Sequence, residues 1–192
     1  MGTPIRLALI YGSARQKRFG DKVMAWAQSS INQHQEFDAE ILDPRDFFTV
    51  VENDSTNGRD VSLLAKRIEQ ADAFIIVTPE YNHGYPAHLK MLIDSAYFEW
   101  NAKPVAFISY GGLSGGIRAV EQLRQVFAEL HAVTIRDSVS FANVWDQFDQ
   151  QGKLIRSQRA EKAMASMLAQ LRWWASTLRT ARNNHPYQEV VE

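Results

Sequence analysis

The 192 residues contain no cysteine, which excludes disulfides, thiolate nucleophiles and Cys-ligated zinc or iron–sulfur centres. That suits a reducing cytoplasm. An excess of one charge is missing too: 21 basic and 22 acidic residues leave a net −1. The total therefore points to neither nucleic acid nor an anionic membrane, and it speaks against a strongly acidic electron carrier with a charged docking face. No uninterrupted apolar run approaches the roughly 18 residues of a membrane span. The start, Met1-Gly2-Thr3-Pro4-Ile5-Arg6, has no long apolar region behind a basic end, so no signal peptide is expected and a cytoplasmic protein is. The dinucleotide pattern G-x-G-x-x-G and the triphosphate pattern G-x-x-x-x-G-K-[ST] are both absent. So is H-E-x-x-H, and His83 and His88, five apart, carry no expectation of a metal.

What is present is alternation. Short apolar runs at Ile5–Tyr11, Ala39–Leu42, Ala73–Thr78, Val105–Tyr110 and Ala132–Ile135 are separated by segments with helical spacing. Val23, Met24, Ala27 and Ile31 make one stripe, Val61, Leu64, Ala65 and Ile68 a second, and Leu89, Leu92, Ile93 and Ala96 a third. Ala119, Leu123, Val126, Phe127 and Leu130 make a fourth, and a last one runs from Ala160 to Leu178. Continuously apolar strands need cover on both faces. The pattern predicts an α/β, flavodoxin-like, doubly wound sheet of about five parallel strands with helices on both faces. Residues 1–182 are expected to form one such domain, with 183–192 a loose tail. Phe47–Asp60 breaks the rhythm: a loop of this length can be a lid, a partner surface or plain surface disorder.

Three strand ends run into polar, glycine-bearing loops: Tyr11-Gly12-Ser13, Thr78 to Pro86, and Tyr110-Gly111-Gly112. In an open α/β sheet such loops converge on one crevice beyond the carboxyl ends of the strands, where ligands bind. The first reads Tyr11-Gly12-Ser13-Ala14-Arg15-Gln16-Lys17-Arg18-Phe19-Gly20 and opens a helix. Helix-start amides, the Ser13 hydroxyl and the Arg15 and Arg18 guanidinium groups suit a single phosphate, and hence a mononucleotide. A solvated basic turn satisfies the same residues, but the position directly after the first strand favours the cradle.

G-S-x-R-x-x-R-x-G together with T-P-E-Y-N-x-G-Y-P-x-x-L-K resembles the NADPH-dependent FMN reductase family, which includes quinone, azo-dye and chromate reductases of flavodoxin-like fold. Tyr97-Phe98-Glu99-Trp100, Lys103-Pro104 and Ser109-Tyr110-Gly111-Gly112 resemble its quinone-reductase branch, and the matches run in order over residues 5 to 130. One departure lies in the helix after Lys90, which reads Met91-Leu92-Ile93-Asp94 where relatives often carry Asn after the Lys. The resemblance implies bound FMN, NADPH or NADH as co-substrate, a small-molecule acceptor, and a homodimer or homotetramer with flavin near a subunit interface. On this basis Ser13, Arg15, Arg18, Phe19 and Gly20 would hold the phosphate. Pro79, Glu80, Tyr81 and Asn82, with Tyr110, Gly111 and Gly112, would hold the ring, meeting it through backbone N–H groups near Asn82 and Gly84. His83 and Tyr85 would shape the acceptor slot, and no side chain need act as an obligatory acid or base. Asp94, Arg118 and Arg124 read as surface or interface charges.

Two other classes fit parts of the chain. An FMN-binding electron carrier or redox sensor would use the same loops. A serine hydrolase would use Gly112-Leu113-Ser114-Gly115-Gly116, a literal G-x-S-x-G between strand and helix, with Asp137 or Asp146 and then His185 in hydrolase order. That reading leaves the Arg15/Arg18 loop and Pro79–Asn82 without a role. The five tryptophans read as core or interface anchors.

Overall fold

The computed structural model describes residues 3–48 and 57–191. The loop at 47–60, read as a lid, a partner surface or plain surface disorder, therefore lies largely outside the described residues. Strands β1 (Ile5–Tyr11), β2 (Phe37–Leu42), β3 (Ala73–Pro79), β4 (Pro104–Tyr110) and β5 (Val133–Phe141) form one parallel sheet in the order β2-β1-β3-β4-β5. This is the flavodoxin-like order, with its switch point between β1 and β3.

Alternation along the strands builds two cores. Leu7, Leu9, Ile75, Val77, Ala106 and Ile108 face α1 (Gly20–Ile31) and α6 (Gln158–Asn184). Ala8, Ile10, Phe74, Ile76, Val105 and Phe107 face α3 (Asn57–Gln70), α4 (Ala87–Asp94) and α5 (Ile117–Glu129). Every residue of β3 and of β4 is buried, as strands covered on both sides must be. Each buried Leu, Ile or Phe contributes about 1.5–3 kcal/mol relative to exposure. Trp100, expected as an anchor, is fully buried and packs on Phe74 and Phe127.

Three boundaries differ from expectation, each for a local reason. β5 extends to Phe141 rather than ending near Ile135, because it is an edge strand with a half-buried pattern and polar Arg136-Asp137-Ser138. A register shift opposite Val105–Phe107 also places extra residues in it. After β2 a short helix, α2 (Pro44–Phe47), begins at Asp43, whose carboxylate accepts the Arg45 N–H, with Pro44 in the first turn. Finally, α6 runs on to Asn184, and beyond it the Tyr187 hydroxyl sits 3.1 Å from His131 Nδ1 ahead of α7 (Gln188–Val191). No helix of the described residues is long and apolar enough to cross a membrane.

Candidate cofactor site at the carboxyl edge

The β1–α1 loop passes so close to β3 that only glycine fits at position 12. A Cβ there would lie 2.6 Å from Thr78 Oγ1 and 2.8 Å from the Thr78 backbone. This close approach aligns Ser13 with Tyr81: their hydroxyls are 2.7 Å apart. Arg15, an exposed residue, lays its guanidinium over the Tyr81 ring, 3.9 Å from the centroid, and its backbone N–H donates to Ser13 Oγ. No acceptor among the described residues takes the Arg15 side-chain N–H groups. A planar cation over an aromatic face, two hydroxyls and the start of α1 thus lie together, groups of the kind that bind an anion.

Arg18, expected beside Arg15, is used inward. Its side chain is 2% exposed. It forms a bidentate pair with Asp43 (Nη1–Oδ1 3.0 Å, Nη2–Oδ2 2.5 Å), donates through Nε to Asp21 at 2.8 Å and through Nη1 to the Ser13 carbonyl, and stacks on Tyr11. The guanidinium thus fixes the loop from behind. Asp43 was not identified from sequence; an Asp-Pro pair ending a strand signals a helix cap and gives no hint of a partner 25 residues away. Burial alone would raise the Asp43 carboxyl, but bonds from Arg18 and Arg45 overcome it and hold it at about 2.

Phe19 packs edge-on against Phe148, and Gly20 lies against the Tyr110 hydroxyl with no room for a side chain. Tyr110, expected over the ring, is buried in the α1-side core, and burial raises its hydroxyl above the ordinary range. It underlies the cradle.

The β3–α4 loop is a tight turn. Tyr81 and Gly84 exchange backbone hydrogen bonds of 2.9 and 3.0 Å, and Asn82 (φ 50°) and His83 (φ 69°) between them are both left-handed. That is the primed geometry of a two-residue hairpin turn. The left-handed region costs a residue with a side chain roughly 1–2 kcal/mol, less for Asn. Gly84 N–H, expected to face the ring, is consumed in the turn, whereas no acceptor among the described residues takes the Asn82 or His83 N–H. His83 is exposed; Tyr85 is half-buried against the α3–α5 core, so these two expected slot residues do not share one environment.

Glu80, the first residue after β3, has a 6% exposed side chain. It accepts the Ser114 hydroxyl at 2.8 Å and Arg118 Nε at 2.6 Å. Burial opposes its charge, but Arg118 and Ser114 hold its carboxyl below the ordinary range. Gly112 O accepts Gly115 N–H and Asn143 N–H, Gly111 O accepts Val144 N–H, and the Trp145 ring lies beside Gly112. Gly115 (φ 61°) and Gly116 (φ 83°) complete the β4–α5 turn. Arg118 and Arg124, expected as surface charges, have other work: Arg118 holds Glu80, and Arg124 caps the Ile135 and Arg136 carbonyls of the edge strand.

The hydrolase reading fails on geometry. Ser114 faces a carboxylate and no imidazole. His185 ends α6, where Arg182 reaches the Ala102 carbonyl before the start of β4. Ser114 follows the end of that seven-residue strand, about 20 Å away at 3.3 Å per residue.

The sheet order and the cradle at its switch point define a flavodoxin-like α/β protein. Residues 5–146 match the model of the NADPH-dependent FMN reductase family. An NAD(P)H-dependent FMN reductase of Schizosaccharomyces pombe is 35% identical over 130 residues, 63% of this chain and 64% of the relative's length. An NAD(P)H:quinone oxidoreductase of Solanum tuberosum is 36% identical over 117 residues, 57% of this chain and 59% of that one. Among solved structures, the flavoenzyme NAD(P)H:(acceptor) oxidoreductase FerB of Paracoccus denitrificans superposes with a TM-score of 0.71, at 24% identity, over 90% of this chain and 98% of its own. This protein belongs to the NADPH-dependent FMN reductase family.

Proposed function

We propose that the protein is an FMN-dependent NAD(P)H oxidoreductase acting on a quinone-like acceptor, with azo compounds or chromate as further acceptors. Arg15 carries this reading: its guanidinium lies over Tyr81, its side-chain N–H groups meet no acceptor among the described residues, and the Ser13 hydroxyl lies beside it. Those groups fit the phosphate of a mononucleotide. When bound, FMN would supply two-electron chemistry, with NAD(P)H and then the acceptor using one slot in turn. The chain's part is to bind and orient. Ser13 and Arg15 hold the phosphate, while Arg18, Phe19, Gly20 and Tyr110 keep the cradle in shape. The Asn82 and His83 N–H groups are donors for negative charge on the ring, with Pro79, Glu80, Tyr81, Gly111 and Gly112 lining it. His83 borders the slot. The likeness to a quinone oxidoreductase supports a flat, small-molecule acceptor. A homodimer or homotetramer is part of the same proposal, with exposed Met91, Tyr97 and Phe98 as a fitting contact.

The second reading, an FMN-binding carrier or redox sensor, uses the same cradle and is disfavoured by the near-zero net charge. Steady-state NAD(P)H oxidation in the presence of a quinone decides between them. Turnover supports the enzyme; flavin reduction only by a protein donor supports the carrier.

A further inference from the structure

The G-x-S-x-G serine finds its role in the way the β3–α4 turn is held. Arg118 and Gln122 lie four residues apart on α5 and so share one face of the helix. Arg118 and Ser114 both donate to the Glu80 carboxylate at the start of the turn. Gln122 Nε2 donates to the His83 carbonyl at 3.0 Å, and its side-chain oxygen would lie 3.1 Å from a Cβ on Gly84. The turn between these two tethers carries both of the left-handed side-chain-bearing residues of the loop, Asn82 and His83. Two such residues in succession persist only where the surroundings over-determine them.

We infer that Ser114, Arg118 and Gln122 are positioning residues that clamp the Glu80–Gly84 turn in its left-handed form, and that they thereby set how well its free N–H groups stabilise a reduced flavin. This rests on the proposed cofactor reading. Negative charge grows on a flavin as it is reduced, so oriented N–H donors favour the reduced form over the oxidised one. A turn that relaxes loses that preference before it loses the cofactor altogether.

The test uses full-length Ser114→Ala, Ser114→Thr and Gln122→Glu proteins. Gln122 is exposed and Ser114 half-buried, outside both cores, so the fold should survive each change. Amide hydrogen exchange of flavin-free protein reads the Tyr81 and Gly84 N–H groups, which close the turn. Exchange there is expected to be at least tenfold faster in Ser114→Ala and Gln122→Glu, and near wild type in Ser114→Thr, which keeps the hydroxyl. With FMN bound, the reduced form should lose about tenfold more affinity than the oxidised form in the first two variants. For a two-electron couple that is a potential about 30 mV more negative. Unchanged exchange at Tyr81 and Gly84 would overturn the clamp, and faster exchange with an unmoved potential would overturn the tuning. A wild-type protein that binds no FMN would sink the cofactor reading and the tuning with it. The exchange rates would still decide whether the tethers hold the turn.

Discussion

Replacing Arg15 with Ala removes a side chain whose donors meet no acceptor among the described residues. A charge-assisted hydrogen bond contributes about 1.5–3 kcal/mol. Arg15 is exposed, so solvent and salt screen part of its attraction to a phosphate, and the lower half of that range applies. About 2 kcal/mol corresponds to a loss of FMN affinity of roughly 30-fold, at 1.4 kcal/mol per factor of ten. Arg15→Lys keeps the charge but loses the planar fork and the stacking on Tyr81, so its loss should fall between those of wild type and Ala. The assay is flavin-fluorescence titration with FMN and, in parallel, with riboflavin, which has the ring but no phosphate. Arg15→Ala should weaken FMN and leave riboflavin unchanged, and raising the salt should weaken FMN binding more in wild type than in the variant. The melting temperature should stay put, since the exposed side chain lies over Tyr81 and makes no ion pair among the described residues. Equal losses for FMN and riboflavin, or no loss for either, would refute the assignment of Arg15 to a phosphate.

Arg18→Ala should act on stability first, by about 1.5–3 kcal/mol, because it takes two charge-assisted bonds from the buried Asp43 carboxylate and leaves it to Arg45; a thermal melt at neutral pH reads this. In wild type the Asp43 carboxyl is held at about 2, below its unfolded value of 3.8. Its contribution is therefore full above about pH 4 and lost as pH falls towards 2, up to about 2 kcal/mol at 1.36 kcal/mol per unit. Asp43→Asn should flatten that acid limb of the stability curve. Lys103 gives a slope at the other end. Burial pushes it down to about 7, below its unfolded value, while its ammonium donates to the Ile68 and Glu69 carbonyls at the end of α3. Between about pH 7 and 10 the unfolded chain holds the extra proton, so stability rises with pH there, and Lys103→Met should remove the rise in urea titrations. Gly12→Ala forces a Cβ into Thr78 backbone, and should cost about 1–3 kcal/mol with loss of FMN binding by the same titration.

The sheet was legible because its central strands are buried on both faces and so read as unbroken apolar runs, as in Ala73–Thr78. The edge strand was legible only at its start, since the polar Arg136-Asp137-Ser138, exposed or half-buried, break the apolar run. The three loops were also readable, as glycine and polar residues after strands. What sequence spacing does not carry is the partner of each charge. Arg15 and Arg18 look alike on paper. The turn at Gly12 sends one outward over Tyr81, while Asp43, on a neighbouring strand end, draws the other in. Glu80, Ser114, Arg118 and Gln122 come from two loops and a helix, and their meeting depends on the register of β3 against β4.

The most direct measurement is the visible absorbance of freshly purified protein, with mass identification of whatever heat releases from it. A flavin spectrum that yields FMN, near one per chain, is the expected result. A folded, colourless protein that also takes up no added FMN would contradict the account.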